Sequence, residues 1–315
     1  MSNFICNLNF TCKLKRMPGR IGIIDIGTNT INLLVVNKHV NSYTILHKER
    51  QVAGLGNGGL NNSIITPESF NKGVNCLDNY VKICTVHNVK LIYAYGTSML
   101  RQAKNAEKFI KSVKKQTNID IQILNGDEEA NLIYNGVKLG YNFHKKSVVM
   151  DIGGGSTEFI LADKNGLIDK VSLDIGVSRI NQLFNFNSTL SKDDVNSIEL
   201  FLQHKIGNQL NAYKASQLIG ASGSFKTFFE LVNKKKYDST LFQKINTASI
   251  NKTLNTIIKS SYQERLENPY ILNLRSELLA ISAVKTKWIL KKLKCKHVMV
   301  SPNSIKEGAI FNTIL

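Results

Sequence analysis

Two stretches of the chain follow the same pattern of hydrophobic and polar positions. In each, an apolar run ends in Asp-Ile-Gly, passes through small or hydroxyl residues, and returns to an apolar run. The stretches are IGIIDIGTNTINLLVV at 21–36 and VVMDIGGGSTEFIL at 148–161. This pattern predicts a β-hairpin with a glycine-rich tip in each stretch. Aligning the two copies matches Asp25 with Asp151, Gly27 with Gly153, and Thr30 with Ser156.

Between and beyond the hairpins, helical and strand patterns alternate, which indicates an α/β protein. The pattern predicts further strands at 42–48, 90–95, 119–124, 166–173, 217–219 and 297–300. It predicts helices at 67–87, 106–116, 177–186, 192–213, 276–293 and 304–314, a helix that opens at 125–130, and a mostly helical stretch at 230–265. Because one hairpin design occurs twice within this alternation, we expect two related domains.

The length and composition agree with two domains. A chain of 315 residues with 43% hydrophobic composition can bury two cores, each in a unit of about 150 residues. No apolar run approaches the roughly 20 residues that a membrane-spanning helix needs, so no membrane partner is expected. The five cysteines show no paired spacing, which favours free thiols and a cytoplasmic location. Residues 1–17 are expected to be a loose N-terminal extension, with Met17 as an alternative start.

The net charge of +18 is spread over both halves of the chain and favours polyanionic partners. Such a partner is either a nucleic acid or a phosphate-rich small molecule or polymer. Nucleic acid is not favoured, because the chain has no helix-turn-helix, RRM or KH signature. The alternative is that much of the lysine excess is solvated surface.

The hairpin tips have the chemistry of phosphate-binding loops. Gly153, Gly154 and Gly155 supply backbone that can approach a ligand closely, and Ser156 and Thr157 add hydroxyl groups. Successive backbone N–H groups in such a turn form a nest for phosphate oxygens. Because each tip also carries an aspartate, the pair of tips suggests a metal-phosphate group held between two domains.

Two further segments carry candidate chemistry. The strand at 90–95 is followed by the hydroxyl pair Thr97 and Ser98 and then by Arg101, an arrangement that can direct a guanidinium at a phosphate. A surface arginine is the alternative. The helix that opens at 125–130 has three acids in its first turn, which are usually partners of the helix dipole. Near phosphate, however, carboxylates are misplaced unless they bind metal or orient water.

Two glycine-rich segments do not fit known nucleotide motifs. The G-x-G-x-x-G at 54–59 is followed by a helix only at Thr66-Pro67, whereas a dinucleotide site needs the helix to open within the glycine run. We therefore expect a loop near the active site. The segment at 220–227 resembles a Walker loop, but Phe225 replaces its second glycine. It is expected to be a strand-to-helix turn that presents N–H groups.

Together these motifs resemble the exopolyphosphatase and guanosine pentaphosphate phosphatase family, in the actin-like, sugar-kinase-like ATPase superfamily. The resemblance covers about residues 20–312 in a short two-domain form. It is carried by DIGTNT (25–30), GTSMLRQAKN (96–105), NGDEEANLIYNGV (125–137), DIGGGSTE (151–158), DIGVSRI (174–180), GASGS (220–224) and VSPNSIKEG (300–308). The chain departs from the family pattern at Asn32, where many members have arginine or histidine, and in GASGS, which is usually richer in glycine and threonine.

The resemblance implies an α/β fold of two ribonuclease-H-like, actin-like ATPase domains with a cleft between them. Domain I would span 18–142, with the C-terminal helix 302–315 packing back on it, and domain II would span 143–301. Glu129 would activate the attacking water, and Asp151 and Glu158 would hold Mg²⁺ or Mn²⁺. The residues expected to bind substrate are Asp25, Gly27, Thr28, Asn29, Thr30, Arg101, Gly153, Gly154, Gly155, Ser156 and Gly223.

The expected activity is metal-assisted hydrolysis of a terminal phosphoanhydride of inorganic polyphosphate, guanosine pentaphosphate (pppGpp) or both. Two alternatives remain: an ATP-dependent small-molecule kinase of the same superfamily, and a non-catalytic sensor of polyphosphate or an alarmone. The sequence leaves open the preferred substrate, the preferred metal and whether the chain forms a homodimer.

Overall fold

The computed structural model describes residues 19–40, 42–186 and 189–314, with side chains up to residue 312. The extension predicted for 1–17 lies outside these residues. A first sheet has the order β3-β2-β1-β4-β5 and a second sheet has the order β10-β11-β9-β6-β7-β8. The first contains β1 (Gly19–Ile26), β2 (Thr30–Lys38), β3 (Tyr43–Val52), β4 (Leu91–Gly96) and β5 (Ile121–Ile123). The second contains β6 (Ser147–Ile152), β7 (Thr157–Asp163), β8 (Gly166–Leu173), β9 (Gln217–Gly220), β10 (Gln243–Ile245) and β11 (His297–Val300).

Helices flank both sheets, as the alternating pattern predicts. Those associated with the first half of the chain are α1 (Pro67–Val86), α2 (Ser98–Gln102), α3 (Ala106–Thr117) and α4 (Gly126–Lys138). The later helices are α5 (Val177–Phe184), α6 (Lys192–Ile206), α7 (Gly223–Asn233), α8 (Thr247–Lys259), α9 (Tyr262–Glu267), α10 (Asn273–Ser276), α11 (Leu279–Leu293) and α12 (Ile305–Ile314). No helix in the described ranges is both long enough and apolar enough to cross a bilayer.

The two sheets repeat one topology, which confirms the duplication seen in the sequence. In the first, β1, β2 and β3 are successive antiparallel neighbours, and β4 and β5 continue in parallel on the other side of β1. In the second, β6, β7 and β8 are the antiparallel set, and β9 and β11 are the parallel strands. The tips also match, because Gly27 N donates to Thr30 O over 3.0 Å and Gly153 N donates to Ser156 O over 3.1 Å.

Two predicted elements differ from the structure. The helix predicted for 192–213 ends at Ile206, because Gly207 has a φ of 48° and caps the helix. The mostly helical stretch predicted at 230–265 also contains β10, which has only three residues and exists by pairing with β11. Such a short edge strand has no periodic signal of its own, so only the neighbouring strand defines it.

The C-terminal helix α12 packs against α4 and β1, at the base of the first sheet. Ala309 and Ile310 join a buried cluster with Ile21, Ile23, Leu34 and Val36 of β1 and β2. The two helices approach closely because each has a glycine at the contact. A Cβ atom on Gly308 would overlap the carbonyl oxygen of Leu132, and one on Gly136 would overlap the carbonyl oxygen of Ser304.

We expect Gly308→Ala to destabilise the fold by about 3 kcal/mol, at the upper end of the cost of overpacking, because the added methyl group meets backbone that cannot rotate away. Urea unfolding would measure the change. Ala309→Gly, which leaves the helix contact open and removes one methyl group, serves as the comparison on the same helix. A Gly308→Ala midpoint equal to wild type would show that the α4–α12 contact relaxes easily.

Candidate active site

A cavity of about 500 Å³ lies where the tips of the two hairpins face each other. All the site residues predicted from the sequence line it except Arg101. These residues are Asp25, Gly27, Thr28, Asn29, Thr30, Glu129, Asp151, Gly153, Gly154, Gly155, Ser156, Glu158 and Gly223. Residues far apart in the chain therefore converge on one cleft between the two sheets.

The two tips are in direct contact, and the second tip needs its glycines for this reason. A Cβ atom on Gly154 would lie 2.8 Å from Asn29 Oδ1 of the first tip. The hydroxyl of Ser178, at the start of α5, donates to the same Asn29 oxygen over 2.7 Å. Side chains on the second tip would therefore collide with the first tip, which is why glycine is needed there.

The glycine-rich loop after β3 braces this contact, and the next helix begins only at Pro67, outside the glycine run, as the sequence predicts. Gly54 N and Gly56 N donate to the carbonyl oxygens of Asn29 and Thr28, each over 2.9 Å. From the other side, Gln182 of α5 donates to Gly56 O over 2.8 Å. The loop thus links the first tip to the second half of the chain.

Asp151 and Glu158 face each other directly across the β6–β7 ladder. Glu158 is 2% exposed and accepts a hydrogen bond from Ser172 Oγ over 2.7 Å, while Asp151 accepts one from Ser304 Oγ at the start of α12. Burial and the nearby negative charge of Asp25 raise the pKa of Asp151 to about 6. Burial and the negative charge of Asp151 raise the pKa of Glu158 to about 7. Neither carboxylate forms an ion pair within the described residues.

The first hairpin has no such acid pair, because Asn32 occupies the position that matches Glu158. Asn32 Nδ2 donates to Asp25 Oδ2 over 3.1 Å, and Asn32 Oδ1 accepts a hydrogen bond from Arg50 Nε over 2.9 Å. Arg50 stands opposite Asn32 on β3 and lines the cavity. Arg50 therefore places a guanidinium beside Asn32 from the neighbouring strand.

Glu128 and Glu129, adjacent in sequence, have different environments. Glu128 is exposed and completes a capping box, in which its side chain accepts a hydrogen bond from Asn125 N and its own N–H donates to Asn125 Oδ1. Glu129 is 5% exposed and lines the cavity. Burial raises the pKa of Glu129 well above its usual value, the negative charge of Glu158 raises it further, and Arg101 opposes both.

Arg101 pairs with Glu129 rather than facing the cavity. Its Nη1 lies 2.9 Å from Glu129 Oε2 and donates to Leu124 O over 2.8 Å. The guanidinium can therefore orient the carboxylate. Its predicted contact with substrate stays a prediction.

One wall of the cavity is basic, which the sequence indicates only through the net charge of +18. Arg50, Lys226, Arg275 and Lys306 line it, and none of them forms an ion pair within the described part of the chain. Arg275 Nη1 donates to Thr227 Oγ1 over 2.7 Å, and its guanidinium covers Gly223 so closely that a Cβ there would lie 2.6 Å from Nη2. Burial lowers the pKa of Lys226 to about 8 and that of Arg275 to about 10.

Beneath the second tip, a fully buried lysine was also missed. Lys285 of α11 donates to Thr157 Oγ1 over 2.6 Å and to the carbonyl oxygen of Ile175. The sequence of this helix has an ordinary apolar pattern, so no local signal distinguishes Lys285 from the other lysines. It ties the tip to the Asp-Ile-Gly turn at 174–176.

The carboxylates fit a hard cation such as Mg²⁺. No group of three or more His, Cys, Asp or Glu side chains capable of holding an ion occurs within the described ranges. Mg²⁺ nevertheless commonly binds through one or two carboxylates and completes its shell with water and substrate phosphates. Asp151 and Glu158 meet that description, since both line the cavity and neither forms an ion pair within the described ranges.

Comparison with known proteins gives a consistent result. The model of the Ppx/GppA phosphatase family matches residues 34–315. A crystal structure of an exopolyphosphatase from Cytophaga hutchinsonii is 30% identical, with a TM-score of 0.89 over 94% of this chain and 97% of that chain. A Ppx/GppA family member from Aquifex aeolicus is 20% identical, with a TM-score of 0.78 over 95% of this chain and 98% of that chain.

A curated relative, the bifunctional 3-dehydroquinate synthase/phosphatase of Fusobacterium nucleatum, is 29% identical over 308 residues. The match covers 92% of this chain but 46% of that protein, so the chain spans about half the length of this relative. The structural matches confirm the predicted fold class of two α/β domains of the actin-like ATPase type. The exact domain boundaries remain predictions.

Proposed function

This chain belongs to the Ppx/GppA phosphatase family, and we propose that it hydrolyses a terminal phosphoanhydride bond of inorganic polyphosphate, pppGpp or both. The observation that carries the proposal is the placement of Glu129. Its carboxylate is buried at the edge of a cavity formed by two glycine-rich tips and is held by Arg101. A carboxylate beside a phosphate site is suited to act on water rather than on the phosphate itself.

In the proposed reaction, Glu129 accepts a proton from the attacking water. Burial and Glu158 raise its pKa, so it is a stronger base than an exposed glutamate, while Arg101 opposes this rise and orients the carboxylate. The water oxygen then forms a bond to the terminal phosphorus, and the bond from phosphorus to the bridging oxygen breaks. The shortened phosphate chain leaves with the electron pair of that bond.

The remaining residues hold the substrate. The N–H groups of Gly27 and Gly153 donate within their own tips, so other backbone N–H groups of the two tips would bind the terminal phosphate oxygens, and the basic wall would bind the next phosphates. Asp151 and Glu158 would hold Mg²⁺ or Mn²⁺, which when bound neutralises charge on the phosphates. With positioning and charge supplied in this way, phosphoryl transfer needs little covalent help from the protein.

The two alternative functions are not favoured. A kinase needs an acceptor and an adenosine site, yet the third glycine-rich turn is covered by the Arg275 guanidinium at Gly223. A sensor without activity would not need Glu129 in the cavity beside Asp151 and Glu158.

The direct test measures phosphate release from long-chain polyphosphate, tripolyphosphate and pppGpp, each with Mg²⁺ and with Mn²⁺. We expect release from at least one of them, abolished by EDTA. Release from none under either metal would overturn the proposal. ADP-linked phosphorylation of a small molecule would instead support the kinase.

Salt should separate the two substrate classes. Because Arg50, Lys226, Arg275 and Lys306 line one wall without ion pairs, a long polyphosphate should contact more cations than a short one. Each such contact releases counterions, by analogy with a slope of about −0.7 per phosphate for single-stranded nucleic acids. We expect KM at about 50 and about 300 mM KCl to differ far more for long polyphosphate than for tripolyphosphate. An equal salt dependence would favour a compact substrate such as pppGpp.

A further inference from the structure

The hydroxyl group of Ser98 is buried without a hydrogen-bond partner in the described part of the chain. The side chain is 2% exposed, and its Oγ neither donates nor accepts within the described residues. The adjacent Thr97 differs, because its hydroxyl donates to the carbonyl oxygen of Ile26 over 3.2 Å. Of the hydroxyl pair noted in the sequence, only one member is therefore used to hold the fold together.

The free hydroxyl lies at the junction of the two tips. Ser98 lines the cavity, and a Cβ atom on Gly155 would overlap its side-chain oxygen. The same point on Gly155 lies 3.0 Å from Thr28 Oγ1 of the first tip. The Ser98 hydroxyl is thus next to polar groups of both tips, on the side of the cavity where the terminal phosphate would be held.

Burying a hydroxyl without a partner destabilises a protein, and the cost disappears if a ligand supplies the partner. A second buried serine hydroxyl without a partner in the described ranges, that of Ser222, lines the same cavity at the start of α7. That two such groups face one cleft is explained if the cleft binds a ligand rich in acceptor oxygens. A phosphate group has this chemistry.

We propose that Ser98 is a phosphate-binding residue whose hydroxyl donates a hydrogen bond to an oxygen of the phosphate held between the two tips. The proposal rests on the proposed function for the identity of the ligand as a phosphate. It does not depend on hydrolysis, since a bound product phosphate would make the same contact.

The test compares Ser98→Ala with wild type in calorimetric titrations with inorganic phosphate in the presence of Mg²⁺. A hydrogen bond to a charged acceptor is a strong one, so we expect the dissociation constant for phosphate to rise about tenfold. The melting temperature without ligand should stay the same or increase, because the variant loses an unpartnered buried group. Ser98→Cys keeps the size of the side chain but donates a hydrogen bond only weakly, so it should also bind phosphate more weakly than wild type.

Ser147→Ala is the matched control. Ser147 is fully buried at the start of β6, its hydroxyl donates to Lys145 O over 2.8 Å, and it does not line the cavity. This variant should lose melting temperature and keep its affinity for phosphate. The opposite behaviour of the two serine variants is what distinguishes a ligand contact from a structural hydroxyl.

Unchanged phosphate affinity in Ser98→Ala would overturn the proposal, as would a failure of the wild-type protein to bind phosphate. A loss of melting temperature like that of Ser147→Ala, with affinity retained, would assign Ser98 a structural role and also overturn it. If phosphate binding depends on Ser98 but no phosphoanhydride is hydrolysed, this proposal holds and the proposed function fails. If hydrolysis occurs and affinity is independent of Ser98, the reverse is true.

Discussion

Replacing Glu129 with glutamine is expected to lower kcat for phosphate release by about 10²–10⁴, the usual loss when a positioned base is removed. The amide has the same shape as the carboxylate but cannot accept a proton from water. Because Glu129 is buried against Arg101 and the replacement keeps its size, binding of substrate should change little. Steady-state kinetics give kcat, and titration of phosphate or a non-hydrolysable analogue gives the affinity.

Glu128→Gln is the control for this prediction. Glu128 is exposed and caps α4 through Asn125, so its replacement should leave kcat nearly unchanged and cost at most about 1 kcal/mol of stability. An unchanged kcat in Glu129→Gln would refute the assigned base. Equal damage from the Glu128 variant would move the catalytic role by one residue.

Asp151→Asn and Glu158→Gln are expected to raise the Mg²⁺ concentration needed for activity by at least about tenfold. Removing even an outer-shell partner of a metal ligand lowers metal affinity about 10- to 100-fold, so removing a ligand should lower it at least as much. Without metal the same variants should be more stable than wild type. Burial raises the pKa of both carboxylates, and a neighbouring negative charge raises it further, that of Asp25 for Asp151 and that of Asp151 for Glu158, so removal of one charge relieves a cost that the metal-free protein bears. Mg²⁺ titrations of activity and melting curves in EDTA measure the two effects.

Asp193→Asn provides the comparison, because Asp193 is exposed in the first turn of α6 and does not line the cavity. It should leave the Mg²⁺ dependence unchanged. If Asp151→Asn or Glu158→Gln keeps the wild-type Mg²⁺ dependence and melts at a lower temperature, that residue has a structural role. The diagnostic result is therefore a variant that is more stable than wild type in EDTA but needs more Mg²⁺ for activity.

The sequence alone predicts the hairpins and the α/β character, because these depend on local pattern. Two apolar runs around a glycine-rich tip are typical of a β-hairpin, and the repeated Asp-Ile-Gly aligns Gly27 with Gly153. The same reasoning was wrong about the end of α6, where the positive φ of Gly207 overrides a helical pattern that continues in the sequence.

Only the tertiary structure decides which polar groups meet. Arg101 and Glu129 are 28 residues apart and form an ion pair, while Ser304 and Asp151 are 153 residues apart and share a hydrogen bond. Arg50 reaches Asn32 because β3 happens to run beside β2 in that register. Pairings of this kind arise from the packing of two sheets and the return of the C-terminal helix, and no periodicity in the chain encodes them. The sequence thus determines the chemical groups and the elements that carry them, whereas long-range packing determines which carboxylates are buried and how their pKa values shift.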